Sequence, residues 1–479
     1  MLFGKSILMY EKSILIALFF LSYYAFSQQG NYKFNSYGNR SILLSGNVTG
    51  SVEDLGLTYY NPARLTEVQN GLISFNAQAY QLASVKLLNF NEDQGKLENT
   101  DFNGVPTMAG GIFNFLGTRF AYSYITKNRS NIDLNYKNNS INNDILEDFP
   151  DVTTYNNNLE LLSKINEDWS GITWAYKIND KMSLGISAFG SIYTYRSSTN
   201  VNHTIESLEN SVTYYENYIR FKQTSYGIFT KIGANYHFNK FDLGLSIQLP
   251  YLEIYEKGVF NYRDIIAGAG TDYDQYYEYY YKSLDSKRKE PLSISLGAGI
   301  PLGKSQLLFN VDFVDGVKQY SRIDIPSIDI GEDELTPVIF DEKRNSVINF
   351  GAGAEIYLTD NFKSYFGFST DFSAYKSNTN IFDLSSDNAM DVNSGVDLYH
   401  LSTGIDWKFD WANIICGVAY TQGSNELLIP SRLDLDGINP NVSTPADLKY
   451  YRWQFMIGLE VPLLDKKVNT IFNKSNKDD

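Results

Sequence analysis

The sequence predicts an all-β chain: an outer-membrane-type transmembrane β-barrel of about fourteen antiparallel strands. Three observations predict it. Aromatic residues make up 15% of the 479 residues, with 37 Tyr and 30 Phe. Mean hydropathy is nevertheless −0.28, and beyond residue 27 no apolar run approaches the roughly 20 residues of a spanning helix. Apolar and polar residues instead alternate with a period of two, stretch after stretch, which gives a strand one face of each kind. Finally, the connections between these stretches alternate between short turns and long polar segments, the asymmetry of a barrel with short inner turns and long outer loops.

Residues 1–27 read as a secretory signal peptide. Lys5 and Lys12 supply a basic start, ILIALFFL (14–21) the apolar core, and Ala25 and Ser27 the small residues before a cut at Gln28. No Cys follows the cut, which argues against lipoprotein processing. The strands then follow at 71–85, 106–116, 118–130, 167–179, 181–196, 218–238, 240–257, 291–302, 305–320, 345–358, 362–376, 397–409, 412–422 and 449–463. FDLGLSIQL (241–249) is representative. Phe241, Leu243, Leu245, Ile247 and Leu249 share one face, and Asp242, Gly244, Ser246 and Gln248 the other. LSISLGAGI (292–300), QLLFNVDF (306–313), HLSTGIDWKF (400–409) and YRWQFMIGLEV (451–461) repeat the pattern. The polar faces are rich in Gly, Ser, Asn and Asp rather than the Lys and Glu of a solvated sandwich, so the apolar faces are assigned to lipid. Short turns are expected at 114–119, 178–182, 238–242, 301–306, 358–363 and 409–413. Long outer loops are expected at 86–105, 131–166, 197–217, 258–290, 321–344, 377–396 and 423–448. An even strand number puts both ends of the barrel on the inner side. Residues 464–479 form a polar periplasmic tail.

A formal charge of −15 excludes a nucleic-acid partner, which demands a basic face. The single Cys416 cannot form an internal disulfide and reads as a small wall residue. No cofactor or metal site is read. His203 (in a loop), His237 (in an inner turn) and His400 (facing the lumen) lack ligand spacing. DLDG, with Asp434, Asp436 and Gly437, lacks the rest of a calcium loop. No nucleophile elbow or phosphate loop is present, so the chain reads as no enzyme. Tyr276, Tyr277 and Tyr280 in DYDQYYEYYYK are candidates for first capture of an apolar ligand, or simply loop packing near the headgroups. Lys287, Arg288 and Lys289 could meet a phosphate or carboxylate, or form a solvated flank of the next strand.

Residues 28–70 precede the first strand and need a place. Eight strands fill their own interior with side chains, whereas 16 to 18 leave a water channel. About fourteen lies between, so the segment is assigned to the lumen as a hatch over 28–70, with the barrel at 71–463. Its TYYNPARL stretch (58–65) holds a corner, because Pro62 forces Asn61 away from helical geometry.

This layout resembles the long-chain fatty acid transporter family of outer-membrane proteins, which includes the toluene and hydrocarbon uptake members. The local part of the resemblance is Asn61, Pro62 and Ala63 after Gly46, Gly50 and Gly56; where the family often has Gly next, this chain has Arg64. The resemblance implies uptake of hydrophobic compounds such as long-chain fatty acids across the outer membrane of a Gram-negative cell. Outer-membrane lipid and lipopolysaccharide would surround the barrel. A ligand would be captured among the outer loops and leave sideways near the third strand, 118–130. Alternative readings on the same barrel are a component of a secretion or surface-attachment system that binds protein partners through its loops, and an outer-membrane lipid hydrolase.

Overall fold

A computed structural model describes residues 30–68, 72–88, 96–115, 118–139, 151–208, 212–270, 274–331, 335–375, 395–430, 433–434, 437–438 and 443–462. The expected signal peptide and polar tail lie outside the described residues, as does most of the expected loop 377–396.

In chain order the strands are β1 (Leu72–Leu88), β2 (Lys96–Phe115), β3 (Thr118–Asn138), β4 (Val152–Lys177), β5 (Met182–Ser207), β6 (Val212–His237), β7 (Asp242–Gln248), β8 (Leu252–Ala267), β9 (Gln275–Leu284), β10 (Ser293–Leu302), β11 (Ser305–Val314), β12 (Val317–Ser321), β13 (Asp341–Arg344), β14 (Val347–Thr359), β15 (Phe362–Asp371), β16 (Asp397–Lys408), β17 (Asn413–Pro430), β18 (Leu433–Asp434), β19 (Gly437–Ile438) and β20 (Ser443–Pro462). Fourteen of them close an antiparallel ring among the described residues: β1 to β7, then β10, β11, β14, β15, β16, β17 and β20, which returns to β1. Closure pairs the backbone groups of each strand with its neighbours around the ring, except where the β2–β3 seam stops at Met108–Ile125. The short turns fall where the sequence places them. The two-residue turn between β10 and β11 passes through Gly303 at φ +66°, a conformation that favours glycine.

Alternation sorts the faces as expected. Outward-facing Leu296, Phe350 and Ile457 are 47%, 50% and 52% exposed, while inward-facing Ser246, Asn310 and Arg452 are 4%, 3% and 1% exposed. On β5 the outward face is apolar from Leu184 to Ile192 and polar from Thr194 onward. That run of nine residues suits the height of a lipid-facing band.

Three expectations need correction. Much of the predicted loop sequence is strand: β4, β5 and β6 are each 26 residues long and run well beyond the apolar band. In those stretches packing inside the barrel puts apolar residues inward and polar ones outward, as at Ile132, Leu134 and Leu161, so the alternation persists with its faces exchanged inside segments whose overall polarity reads as loop. His203 accordingly sits on β5 rather than in a loop, with Nδ1 2.8 Å from the Tyr155 hydroxyl. The expected strand 240–257 is broken at 249–251 into β7 and β8, where Pro250 cannot donate to a ladder. Above the break β6 pairs with β8, and β8 with β9, which lies inside the expected loop 258–290.

The N-terminal segment lies inside this wall. It contains two short helices, α1 (Asn39–Leu43) and α2 (Leu57–Tyr60), and a 3-10 turn at Pro62–Thr66. Leu43, Leu44, Val48, Val52, Leu57 and Leu65 are buried against Met108, Ile125, Trp169, Phe229 and Leu308 of the wall. The plug backbone approaches the wall closely because the wall has glycines at that level. A Cβ at Gly185 would collide with the Pro62 backbone, one at Gly244 with the Thr49 carbonyl, and one at Gly367 with the Leu44 backbone. Polar anchors complete the seat: Arg40 pairs with Glu355, Lys33 with Asp312 at 2.7 Å, and Asn39 donates to Ser74 at 3.1 Å. Within the plug, Asp54 accepts from Ser41 N and Oγ, both at 2.8 Å. Burial pushes its carboxyl above the usual range, opposed by those two bonds.

Candidate functional site: the lumen and a break in the wall

The corner at Asn61–Pro62–Ala63 is a capped turn. Asn61 is extended (φ −157°, ψ 97°), its Oδ1 accepts from Ala63 N at 3.2 Å, and Pro62 takes the first helical position. Its Nδ2 donates to Thr49 O at 2.8 Å and to Ala234 O of β6 at 3.1 Å. Arg64 is buried; its Nε donates to Val52 O at 3.2 Å and its Nη1 lies 3.3 Å from Asp242. Asp242 also accepts from or pairs with His237 at 2.7 Å, and His237 reaches Glu67 at 3.2 Å. The corner and its flank thus fasten the plug to β6 and β7.

Two adjoining chambers lie between the plug and the wall. The inner one encloses about 900 Å³, partly open to solvent. Tyr59, Tyr60, Trp169 and Phe229 line it together with Lys127 and Lys231. Trp169 and Phe229 stack at 4.2 Å. The Lys231 ammonium lies 3.6 Å from the centre of the Tyr59 ring and donates to Tyr59 O at 2.8 Å. Lys127 sits among the rings of Tyr37, Tyr59 and Trp169 at 5.6, 5.3 and 5.7 Å. The outer chamber, about 820 Å³, has an apolar side with Phe34, Val85, Ile132, Leu398 and Leu448 and a charged side with Arg288, Glu290, Arg322, Glu342 and Arg344. Asn31, Arg288 and Glu290 border both.

The wall beside the inner chamber is incomplete. β2 pairs with β3 only from Phe115–Thr118 up to Met108–Ile125. Above that level β2 continues on β1 as far as Lys96, and β3 continues on β4 as far as Asn138, but no rung joins β2 to β3 among the described residues. The parting coincides with a bulge between Thr126 and Asn128, which displaces Lys127 from the ladder. The carbonyl of Lys127 is satisfied by the plug instead: Tyr37 Oη donates at 2.8 Å and Asn35 Nδ2 at 3.2 Å. Asp168, bound by Tyr124 at 2.7 Å, pairs across β4 and β5 with Ile192, so the parting lies at the outer margin of the apolar band.

Of the other sequence candidates, Tyr276 and Tyr280 lie on the exposed face of β9, at 62% and 49% exposure. Tyr277 is on its opposite face, packed against a cluster that includes Phe260, Ile323 and Ile328. Arg288 is no solvated flank: its guanidinium is buried in the lumen, 3.9 Å from the centre of the Tyr193 ring, while Lys287 and Lys289 remain exposed. His400 faces inward, its Nδ1 2.8 Å from Thr421 Oγ1. The lumenal Lys127, Trp169, Lys231, Arg322 and Arg344 were not singled out by sequence. In the structure the alternation slips at Ile125–Thr126, which are both buried, next to Lys127.

No family model matches the chain, and no curated relative matches it. Solved structures share its architecture. The crystal structure of a Pseudomonas aeruginosa FadL homologue superposes with a TM-score of 0.53 at 12% identity, covering 91% of this chain and 99% of that one. The P. putida toluene transporter TodX gives 0.53 at 10% identity, covering 89% and 99%. The Ralstonia pickettii toluene transporter TbuX gives 0.52 at 11%, covering 90% and 99%. At these identities the likeness establishes the fold.

Proposed function

We propose that this protein is an outer-membrane channel that takes up hydrophobic compounds, long-chain fatty acids among them, and releases them sideways through the wall. The carrying observation is the parting of β2 from β3, which begins at Lys127 in the lining of the aromatic chamber and continues along Asn128, Ser130 and Ile132 in the lining of the outer one. A polar surface layer stops apolar solutes, and a water-filled pore offers them no favourable path. An apolar-walled chamber lowers that barrier, and an unpaired stretch of wall gives an exit that avoids the water below. Unpaired backbone groups at membrane depth are costly. Here the plug offsets that cost by donating to the Lys127 carbonyl, so the hatch that closes the lumen also sustains the side opening. Within this reading, Asn61, Pro62 and Ala63 fix the hatch, and the exposed Tyr276 and Tyr280 offer a first contact for ligand above the membrane. Tyr277 supports β9 from behind.

The exit is tested by zipping it. Cysteines at Thr107 and Thr126, one step above the last rung, are introduced in the Cys416→Ser background. Oxidation is expected to depress uptake of radiolabelled oleate by intact cells, and a reductant to restore it. Full uptake by the oxidised, cross-linked protein would overturn lateral release.

A further inference from the structure

The outer surface of the wall changes character directly above the apolar band. On β5, β6 and β8 the band ends in a rung that joins Ile192 to Tyr226 and Tyr226 to Tyr255, with the two tyrosine rings stacked at 5.5 Å. All three side chains are exposed. Further along β5 comes Arg196, whose neighbours in register are Lys164 on β4 and Lys222 on β6. Residues paired directly across strands share a face. Ser163, Ile165, Tyr195, Ser197, Phe221 and Gln223, which flank the three cations, face inward, and the cations themselves are exposed. The row continues through Val259 of β8 to Lys282 of β9. Lys257 stands in the rung below, opposite Thr224, and Arg220 in the rung above, between Ser198 and Asn261.

Like charges placed directly opposite one another destabilise a sheet. Carboxylates do not relieve this row. Those on the same face are held by other partners: Asp168 by Arg129 at 2.6 Å, Glu216 by Arg263 at 2.6 Å, Glu278 by Tyr276 at 2.5 Å, Glu160 by Asn158 at 3.1 Å and Asp133 by Asn135 at 2.8 Å. Among the described residues Arg220 Nε is buried and has no hydrogen-bond partner. In a chain of net charge −15, adjacent cations left without carboxylates mark a place for an external anion.

The position of the row identifies the anion. A rise of about 3.3 Å per residue and a tilt of about 40° put Arg196 about 10 Å above Ile192. That is the outer edge of a headgroup layer about 5–8 Å deep, and Lys and Arg stems reach back toward it along apolar surface. Lys164 and Lys222 stand two strand spacings, about 10 Å, apart, a span that suits a head carrying more than one phosphate. We propose that Lys164, Arg196 and Lys222 bind the phosphorylated saccharide head of an outer-leaflet glycolipid, whose acyl chains lie on the apolar face below, at Ile186 and Ile192. The site lies outside the barrel and does not depend on what the lumen carries.

The test uses the full chain refolded without lipid in a nonionic maltoside, with binding counted by native mass spectrometry. The probes are diphosphoryl lipid A, dioleoylphosphatidylglycerol and inorganic pyrophosphate. Lipid A is expected to bind most tightly. Arg196→Gln/Lys222→Gln should weaken it about 30-fold, since each cation near an anionic lipid head contributes a factor of about 5. Lys181→Gln/Lys240→Gln, which removes the same charge at the inner turns, should leave its affinity unchanged. Without lipid, the first pair should raise the urea midpoint, because it relieves repulsion within the row; a midpoint that stays or falls overturns the premise. Equal weakening by both pairs reduces the effect to net charge and overturns the site, as does undiminished binding by the first pair. Phosphatidylglycerol or pyrophosphate binding as tightly as lipid A overturns the glycolipid assignment. If the double variant does not refold, Lys164→Gln alone should weaken lipid A about 5-fold, and an unchanged affinity there also overturns the site.

Discussion

Replacing Asn61 with Ala removes the bonds to Thr49 O, Ala234 O and Ala63 N in one step. A net hydrogen bond contributes about 1 kcal/mol. Ala234 lies within the wall, paired in register with Leu184 and Leu245, so the loss there costs least, whereas Thr49 O loses a donor from buried Asn61. The cap to Ala63 adds about 1 kcal/mol. Together the docked plug should lose about 2–3 kcal/mol, which raises the undocked population roughly 30- to 150-fold. Pro62→Ala acts mainly through the freedom of the undocked chain and should cost only about 0.4–1 kcal/mol. The wall should assemble in both, since its ladder closes without the plug. Planar-bilayer recordings read the difference. The wild type should be largely closed, Asn61→Ala should show frequent steps to the conductance of a barrel lacking residues 28–68, and Pro62→Ala should show rare ones. If deletion of 28–68 conducts but Asn61→Ala stays as quiet as the wild type, the corner does not hold the plug. If deletion itself does not conduct, wall side chains or inward loops fill the lumen.

Leu296→Arg, on the lipid face, should destabilise the barrel in a urea-unfolding assay by about 2–4 kcal/mol; a change below about 0.5 kcal/mol would void the lipid assignment. In the Cys416→Ser background, cysteines at Asp133 and Asp274 should label from outside intact cells and cysteines at Asp180 and Lys240 should not, with equal labelling contradicting the orientation. Tyr276→Ala/Tyr280→Ala should slow oleate uptake at low concentration without changing affinity for purified protein, and an unaltered rate would remove these residues from capture.

The period-two pattern located the strands because a lipid-facing wall constrains one face of each strand independently of its neighbours. It was missed above the membrane, where the outward face turns polar and the apolar residues that remain, such as Leu161 and Ile205, point inward, so the segments read as polar loop. It could not show that 240–257 breaks in two, although Pro250 stood in the middle of the run. The corner at Asn61–Pro62 was visible because capping and the proline ring act within a few residues. The reason for glycines on the inner faces was not visible: Gly185, Gly244 and Gly367 make room for Pro62, Thr49 and Leu44, which are distant in sequence. The same filling leaves little free space on the inner face of β7. Ser246 is buried, and Gly244 on the same face of β7 touches Thr49 and Asn61 of the plug.

By itself the sequence determined the fold class, the faces of the strands, the inner turns and the local turn at Asn61–Pro62, since each is set by local geometry or by the solvent a face must meet. Only the tertiary structure decided which strands part and which lysines and arginines enter the lumen. Those depend on pairing between segments far apart in the chain: β3 chooses β4 over β2 above Ile125, and Glu342 is shared between two arginines because the 317–344 segment folds inward.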